Sequence, residues 1–422
     1  MSIFSDRIQR HAKRFAGYAG AQVVVQLVNG ITGLVLVHAL AKNEYAWLTI
    51  VNSLLATISI LSDSGLGSAT TSLGGPLIGQ PDRFRSLIST TRSLRLLFAA
   101  LSAALILPVG WWFLQKNAAS TGVSILLLLF TLTTALPSAE AVVLTTVNRL
   151  YSKLRDLVVS DFVQAFARLF LVGIVWAVGA TATLAAATTA GAIWIQTLFL
   201  RRQTRPLLTP LPPPSAEWRK PAMKVVGHFM PLCLFQCVQG QLTTWLLSVF
   251  ATTTAVADVG ALSRLSLFFT FLALPLANIV APAIARCTEP RRLIRLCSTT
   301  VLGYTLAGVG IVLVGALFAP QILWLLGSKY AHLQSELVWY LGFQAVGLIS
   351  TVMWGIVLTK GWVAQSWIHI PLTITLQVIA ATQFELGSIP HALMFSAIGS
   401  ITGILVCARQ IYRGIKATPT VR

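Results

Sequence analysis

Twelve long apolar runs divide the chain, at 16–39, 44–66, 94–114, 121–147, 157–179 and 181–200, and then at 225–250, 257–284, 296–318, 337–358, 362–382 and 390–408. Each is close to the roughly 20 residues that cross a bilayer's hydrocarbon core as a helix. The runs are continuous, without the alternation of a half-buried strand. Because lipid cannot hydrogen-bond a backbone, they must be helices. Between the sixth and seventh runs lies the one long polar interruption, from Arg201 through Leu211-Pro212-Pro213-Pro214 to Lys224, which reads as a stiff linker. The chain therefore divides into residues 1–200, a linker at 201–224, and residues 225–422.

Composition agrees with that pattern. Hydrophobic residues make up 55% of the 422 and charged residues 10%, with a mean hydropathy of +0.77. A soluble domain carries about 25% charged residues. The formal charge of +19 would suit nucleic acid, but it is spread in short clusters between apolar runs and contains no nucleic-acid-binding motif. Twenty-six of the 31 Lys and Arg fall in loops on one side of the predicted membrane, and only Lys42, Lys116 and Lys329 on the other. That asymmetry marks the basic side as cytoplasmic and puts both ends of the chain there. From Ile3 to Phe15, Arg and Lys interrupt the apolar residues, which excludes a cleavable signal and predicts a short helix lying on the membrane surface.

The two halves also resemble each other. Gln26-Leu27-Val28-Asn29-Gly30 in the first run matches Gln236-Cys237-Val238-Gln239-Gly240 in the seventh. Both copies open a set of six spans, which predicts two six-helix lobes of one topology around a central cavity.

Polar residues inside the spans are the candidate functional groups. Gln22, Gln26 and Asn29 share one helical face, and Gln236, Gln239 and Thr243 repeat that spacing, with His228 two turns earlier. They serve either to line the cavity or to hydrogen-bond between helices. Arg168 stands mid-span on the face of Asp161 and Gln164. A charge at that depth costs about 2.5–3.5 kcal/mol even on an insertion scale. Glu140, after Pro137, is expected at a similar depth. A Glu140–Arg168 or Asp161–Arg168 ion pair is one reading; a cation in the cavity flanked by proton-exchanging carboxylates is the other. Arg264 has no acid on its own helical face within a turn, so its planar fork is a candidate phosphate clamp. Asp63, before Ser64-Gly65-Leu66-Gly67, reads as a structural cap or hinge.

No catalytic set emerges: HExxH, GxSxG and P-loop patterns are absent, and the predicted outer loops are short. The five cysteines lack metal-ligand spacing, so no metal or cofactor is expected.

Several stretches resemble a known family: Leu40-Ala-Lys-Asn-Glu44-Tyr45-Ala46-Trp47, Asp63-Ser-Gly65-Leu-Gly67, Asn148-Arg149-Leu150, Val259-Gly260-Ala261-Leu262-Ser263-Arg264-Leu265 and Leu326-Gly327-Ser328-Lys329-Tyr330. In this order they are similar to the polysaccharide (O-antigen type) flippases of the multidrug/oligosaccharidyl-lipid/polysaccharide exporter superfamily. The resemblance implies two lobes around a cavity that opens alternately to each side of a bacterial inner membrane. It also implies, as substrate, undecaprenyl-diphosphate carrying a sugar repeat unit, and as partners the membrane lipids and the polymerase and assembly proteins of polysaccharide export. It puts a basic residue at Arg264. The segment from Thr359 to Ser366 departs from the family in carrying a single Lys. The alternatives are an ion-coupled multidrug or small-molecule exporter of the same superfamily, whose cavity would favour acidic and aromatic walls over two Arg, a membrane enzyme of glycan assembly, and a non-transporting scaffold.

Overall fold

The computed structural model describes residues 2–276, 280–287, 289–363 and 366–417, with the side chains of residues 2–19 and of 154, 228, 274, 282, 286 and 417 outside the description. The surface stripe expected over Ile3–Phe15 and the side chain of His228 fall on undescribed side chains. Every described regular element is a helix or a 3₁₀ turn. Ten helices among the described residues are long and apolar enough to span a membrane. An eleventh span is a bent pair, Ala216–Gly227 and Phe229–Phe250, at 52° to each other. The predicted span at 362–382 is shorter than expected, an apolar helix over Ser366–Ala381.

Residues 1–241 form one compact unit and residues 242–422 another, so the division falls inside a helix and not at the linker. In the first unit α1 (Ser2–Ala39), α2 (Lys42–Asp63), α3 (Leu66–Gly74), α4 (Pro81–Lys116), α5 (Thr121–Leu150), α6 (Leu154–Val178), α7 (Ala182–Leu208) and most of α8 (Ala216–Phe250) pack together. In the second are α9 (Thr253–Leu262), α10 (Ser266–Pro275), α11 (Ala281–Arg286), α12 (Pro290–Leu317), α13 (Ala319–Leu326), α14 (Gln334–Lys360), α15 (His369–Ala381) and α16 (Ile389–Ala417).

The pairings inside the two units correspond. In the first, α5 packs on α7, α6 on α7, α4 on α5 and α2 on both α4 and α5. In the second, α14 packs on α16, α15 on α16, α12 on α14, and α10 and α11 on α14. The order of helix pairing in the first unit thus recurs in part in the second.

The linker is largely helical. α7 continues to Leu208 and α8 begins at Ala216, so only residues 209–215 lie outside helices. Docking on the start of α4 explains this. Arg85 donates from Nε to the Leu207 carbonyl (3.2 Å), and the Ser215 amide donates to Thr90 Oγ1 (2.9 Å). Arg83 reaches Glu217 at 2.8 Å and lies over the Trp218 ring. With these partners the basic segment can extend two helices where the prolines alone suggested a rod.

The family-like motifs resolve into local physics. Glu44 accepts a hydrogen bond from the Ala182 amide at the start of α7, where the helix dipole favours an anion. Trp47 donates from its indole to the Asn117 carbonyl at the end of α4 (2.9 Å). Asp63 closes α2: it accepts from the Gly67 amide (3.0 Å) and pairs with the buried Arg95 at 2.8 Å. The chain then turns through Gly65 at φ +90°, where an added Cβ would sit 2.7 Å from Phe229 Cβ. Only glycine meets both demands. Of the two readings of Asp63, structural cap or hinge, its contacts match the cap. Asn148, fully buried, donates to Gln203, which donates to the Asp156 carbonyl, tying α5, α6 and α7.

Prolines inside helices are accommodated as membrane helices require. Pro137 in α5 leaves the carbonyl of Thr133 without its helical donor. The Trp194 indole of α7 donates to it at 3.1 Å, while Thr197 donates to the Pro137 carbonyl, also at 3.1 Å. Pro231 lies just after the bend in α8.

Candidate functional site

Two carboxylates of the first unit organise its interior, and they have opposite surroundings. Glu140 on α5 has a 6% exposed side chain and is held by two arginines. Arg92 of α4 donates from Nη2 to Oε1 at 2.7 Å; Arg201 of α7 donates from Nε to Oε1 at 2.9 Å and from Nη2 to Oε2 at 2.5 Å. The sequence suggested Arg168 as partner. α5 presents Glu140 to α4 and α7, against which it packs, while Arg168 stands on α6 among α1 and α7. Glu140 and Arg168 therefore do not meet.

Asp161 on α6 is half-buried and makes no ion pair among the described residues. Its Oδ2 accepts from Gln22 Nε2 of α1 at 2.7 Å, and its Oδ1 from Gln196 Nε2 of α7 at 3.2 Å. Arg149 acts on it electrostatically from beyond ion-pair contact. Arg168, two turns further along α6, is not its partner, because the carboxylate turns to α1 and α7. One carboxylate thus joins three helices through neutral amides alone. Such bonds hold the ionised form. Among the described residues no guanidinium is in hydrogen-bond contact with either oxygen.

A cavity of about 230 Å³ opens between α2, α5 and α7. Its walls are small and uncharged: Ala56, Ser59, Thr134, Ser138, Thr189 and Ile193 among them. Thr134 and Thr189 turn their hydroxyls back to carbonyls of their own helices. Thr189, Ile193 and Gln196 lie at i, i+4 and i+7 on one face of α7, so Gln196, which holds Asp161, stands about one turn along that helix from the cavity wall. Neither Arg168 nor Arg264 lines this cavity.

The remaining candidates are dispersed. Gln26 and Asn29 are half-buried on α1, and Gln236 is exposed and Gln239 half-buried on α8. Thr243, the third member of the second stripe, donates to Ser396 of α16 at 2.7 Å, the interhelical use of such a residue. Arg264 is half-buried in a 3₁₀ turn, Ser263–Leu265, that interrupts the eighth span between α9 and α10. Asp258, six residues earlier on α9, pairs with His332 at 3.3 Å. Gln196 and the clamp arginines Arg92 and Arg201 were not singled out from the sequence. Gln196 was visible there as the lone amide within the 181–200 run; the arginines looked like ordinary flanking charges.

No protein-family model and no curated protein matches the chain. Solved structures do. An inward-facing multidrug resistance MATE family transporter of the MOP superfamily aligns over 95% of this chain and 100% of its own, with a TM-score of 0.70 and 15% identity. A MOP superfamily transporter from Pyrococcus furiosus, described as having a binding pocket of reverse polarity, aligns over 95% and 94% with a TM-score of 0.63 and 17% identity. A point mutant of the Vibrio cholerae MATE transporter VcmN aligns over 96% and 97% with a TM-score of 0.60 and 16% identity. At such identities the likeness is one of architecture: the chain has the two-lobe, all-helical fold of MATE transporters of the MOP superfamily.

Proposed function

We propose that the protein is an ion-coupled small-molecule exporter working by alternating access, with Asp161 as its coupling carboxylate. One observation carries the reading: a half-buried carboxylate, bonded only to the amides of Gln22 and Gln196, beside an uncharged cavity. Taking up a proton there removes the charge that holds both amide donors, since a hydrogen bond to an ionised acceptor is about twice as strong as a neutral one. α1 and α7 are then released from α6 together, which links ion binding to helix movement in this unit. The fold supports the same reading, because the solved transporters that share it include multidrug exporters. The one-sided basic loops support a bacterial inner-membrane protein with both termini in the cytoplasm.

The test is efflux of an aromatic cation, ethidium, from cells making the protein under an imposed pH gradient. Export by the wild type, and none by Asp161→Asn at equal membrane level, is the expected result. Equal export by both would remove Asp161 from the mechanism.

A second reading, translocation of undecaprenyl-diphosphate-linked oligosaccharide, rests on Arg168 and Arg264 as phosphate-holding cations inside spans and on the ordered motifs. The Gln26–Asn29 and Gln236–Gln239 stripes would line its path. This reading ranks second because neither arginine lines the cavity of the first unit. Build-up of lipid-linked oligosaccharide in the cytoplasmic leaflet of a deletion strain, restored by wild type but not by Arg264→Ala, would reverse that preference.

A further inference from the structure

We propose that Arg92 and Arg201 form a binding site for a phosphate group at the rim of the first unit, independent of the transport pathway. Two arginines share the single carboxylate of Glu140, so the cluster keeps one positive charge. Asp63, at the end of α2, is occupied by Arg95 of α4. The bonds to Glu140 use Nη2 of Arg92 and Nε and Nη2 of Arg201, leaving the Nη1 groups of both without an acceptor among the described residues. Arg92 Nε is buried and has no hydrogen-bond partner there. Such donors are costly to leave unmade.

Access and depth fit a phosphate. Glu140 is 6% exposed, but the side chains of Arg92 and Arg201 are 32% and 44% exposed, so the carboxylate anchors the pair from within while both arginine side chains stay partly accessible. Arg92 lies two residues before the apolar run 94–114 and Arg201 one residue after the run 181–200. Both therefore stand at the level where hydrocarbon gives way to headgroups. A rigid fork held on its inner side suits bidentate recognition of phosphate oxygens. The phosphate belongs to an anionic lipid or to free phosphate, and each has its own arm in the test.

Full-length protein in zwitterionic detergent would be titrated with phosphatidylglycerol, phosphatidylcholine or inorganic phosphate, with native mass spectrometry counting retained molecules and melting temperature read in parallel. The wild type should prefer phosphatidylglycerol over phosphatidylcholine, or be stabilised by inorganic phosphate; the first identifies a lipid and the second a free anion. Arg201→Gln should weaken that binding about tenfold, the worth of one charge-assisted contact, while Arg202→Gln, outside the clamp, should not. Glu140→Gln, which keeps both cations and removes their competitor, should bind at least as tightly as wild type. A purely structural clamp predicts the reverse, with Glu140→Gln losing whatever it loses through instability. A wild type indifferent to all three ligands, or Arg201→Gln and Arg202→Gln binding alike, would overturn the site.

Discussion

Glu140 and Asp161 lie in the same unit, on helices that both pack against α7, and yet they are kept in different ways. Glu140 receives three hydrogen bonds from two guanidiniums and is nearly sealed. Asp161 receives two from amides and stays half-exposed. A buried carboxylate between cations is fixed in charge, because protonating it would strand its partners in a poorly solvated place. A carboxylate held by amides can exchange its charge for a proton or a cation without stranding anything. Placement within a span therefore says little about role; the character of the hydrogen-bond donors decides it.

Substitutions that exchange or erase the two environments probe this contrast. The largest loss of stability is expected from Glu140→Ala, which leaves Arg92 and Arg201 facing each other. A fully buried pair broken on one side costs about 3–5 kcal/mol. The partial exposure of both arginines reduces the expectation to roughly 2–3 kcal/mol, read as a lowered midpoint in detergent melting. Gln22→Leu removes one of the two donors on Asp161 and should cost about 1–2 kcal/mol, with ethidium export falling as well. Equal stability losses at Glu140 and Gln22 would erase the distinction between clamp and switch. Trp194→Phe removes a single neutral bond to the Thr133 carbonyl and provides a scale of about 1 kcal/mol with no effect on transport. Asp161→Asn should cost about 1 kcal/mol as well, since an amide keeps the shape and one of the two acceptors.

Much of the architecture was legible in the chain. Continuous apolar runs and one-sided basic loops specified helices, their order and their repetition, and the pairings of α4, α5 and α7 recur in α12, α14 and α16 as a duplicated plan implies. The span at 362–382 read too long, because apolar composition continues through a 3₁₀ turn, Ser366–Ile368, before α15 begins. The linker read too long, because α7 runs on to Leu208 and α8 starts at Ala216, leaving Pro210, Pro212, Pro213 and Pro214 in a short segment between them.

The site was legible only in part. Asp161, Glu140 and Gln22 stood out as polar groups in apolar runs, but which partner each takes depends on which helices are neighbours. That information lies in side-chain packing between segments more than a hundred residues apart, such as Gln22 and Asp161. Spacing along one helix offered Arg168 to Asp161, and the fold offers amides from two others.

Proton movement in reconstituted vesicles decides whether Asp161 couples transport to an ion. Wild type and Asp161→Asn, matched for incorporation and melting midpoint, would be placed under an acidic-inside gradient and given ethidium, with internal pH followed by a trapped indicator. Ethidium should dissipate the gradient through the wild type and leave it intact with Asp161→Asn. Substrate-triggered proton flux through Asp161→Asn at the wild-type rate would contradict a coupling role for that carboxylate.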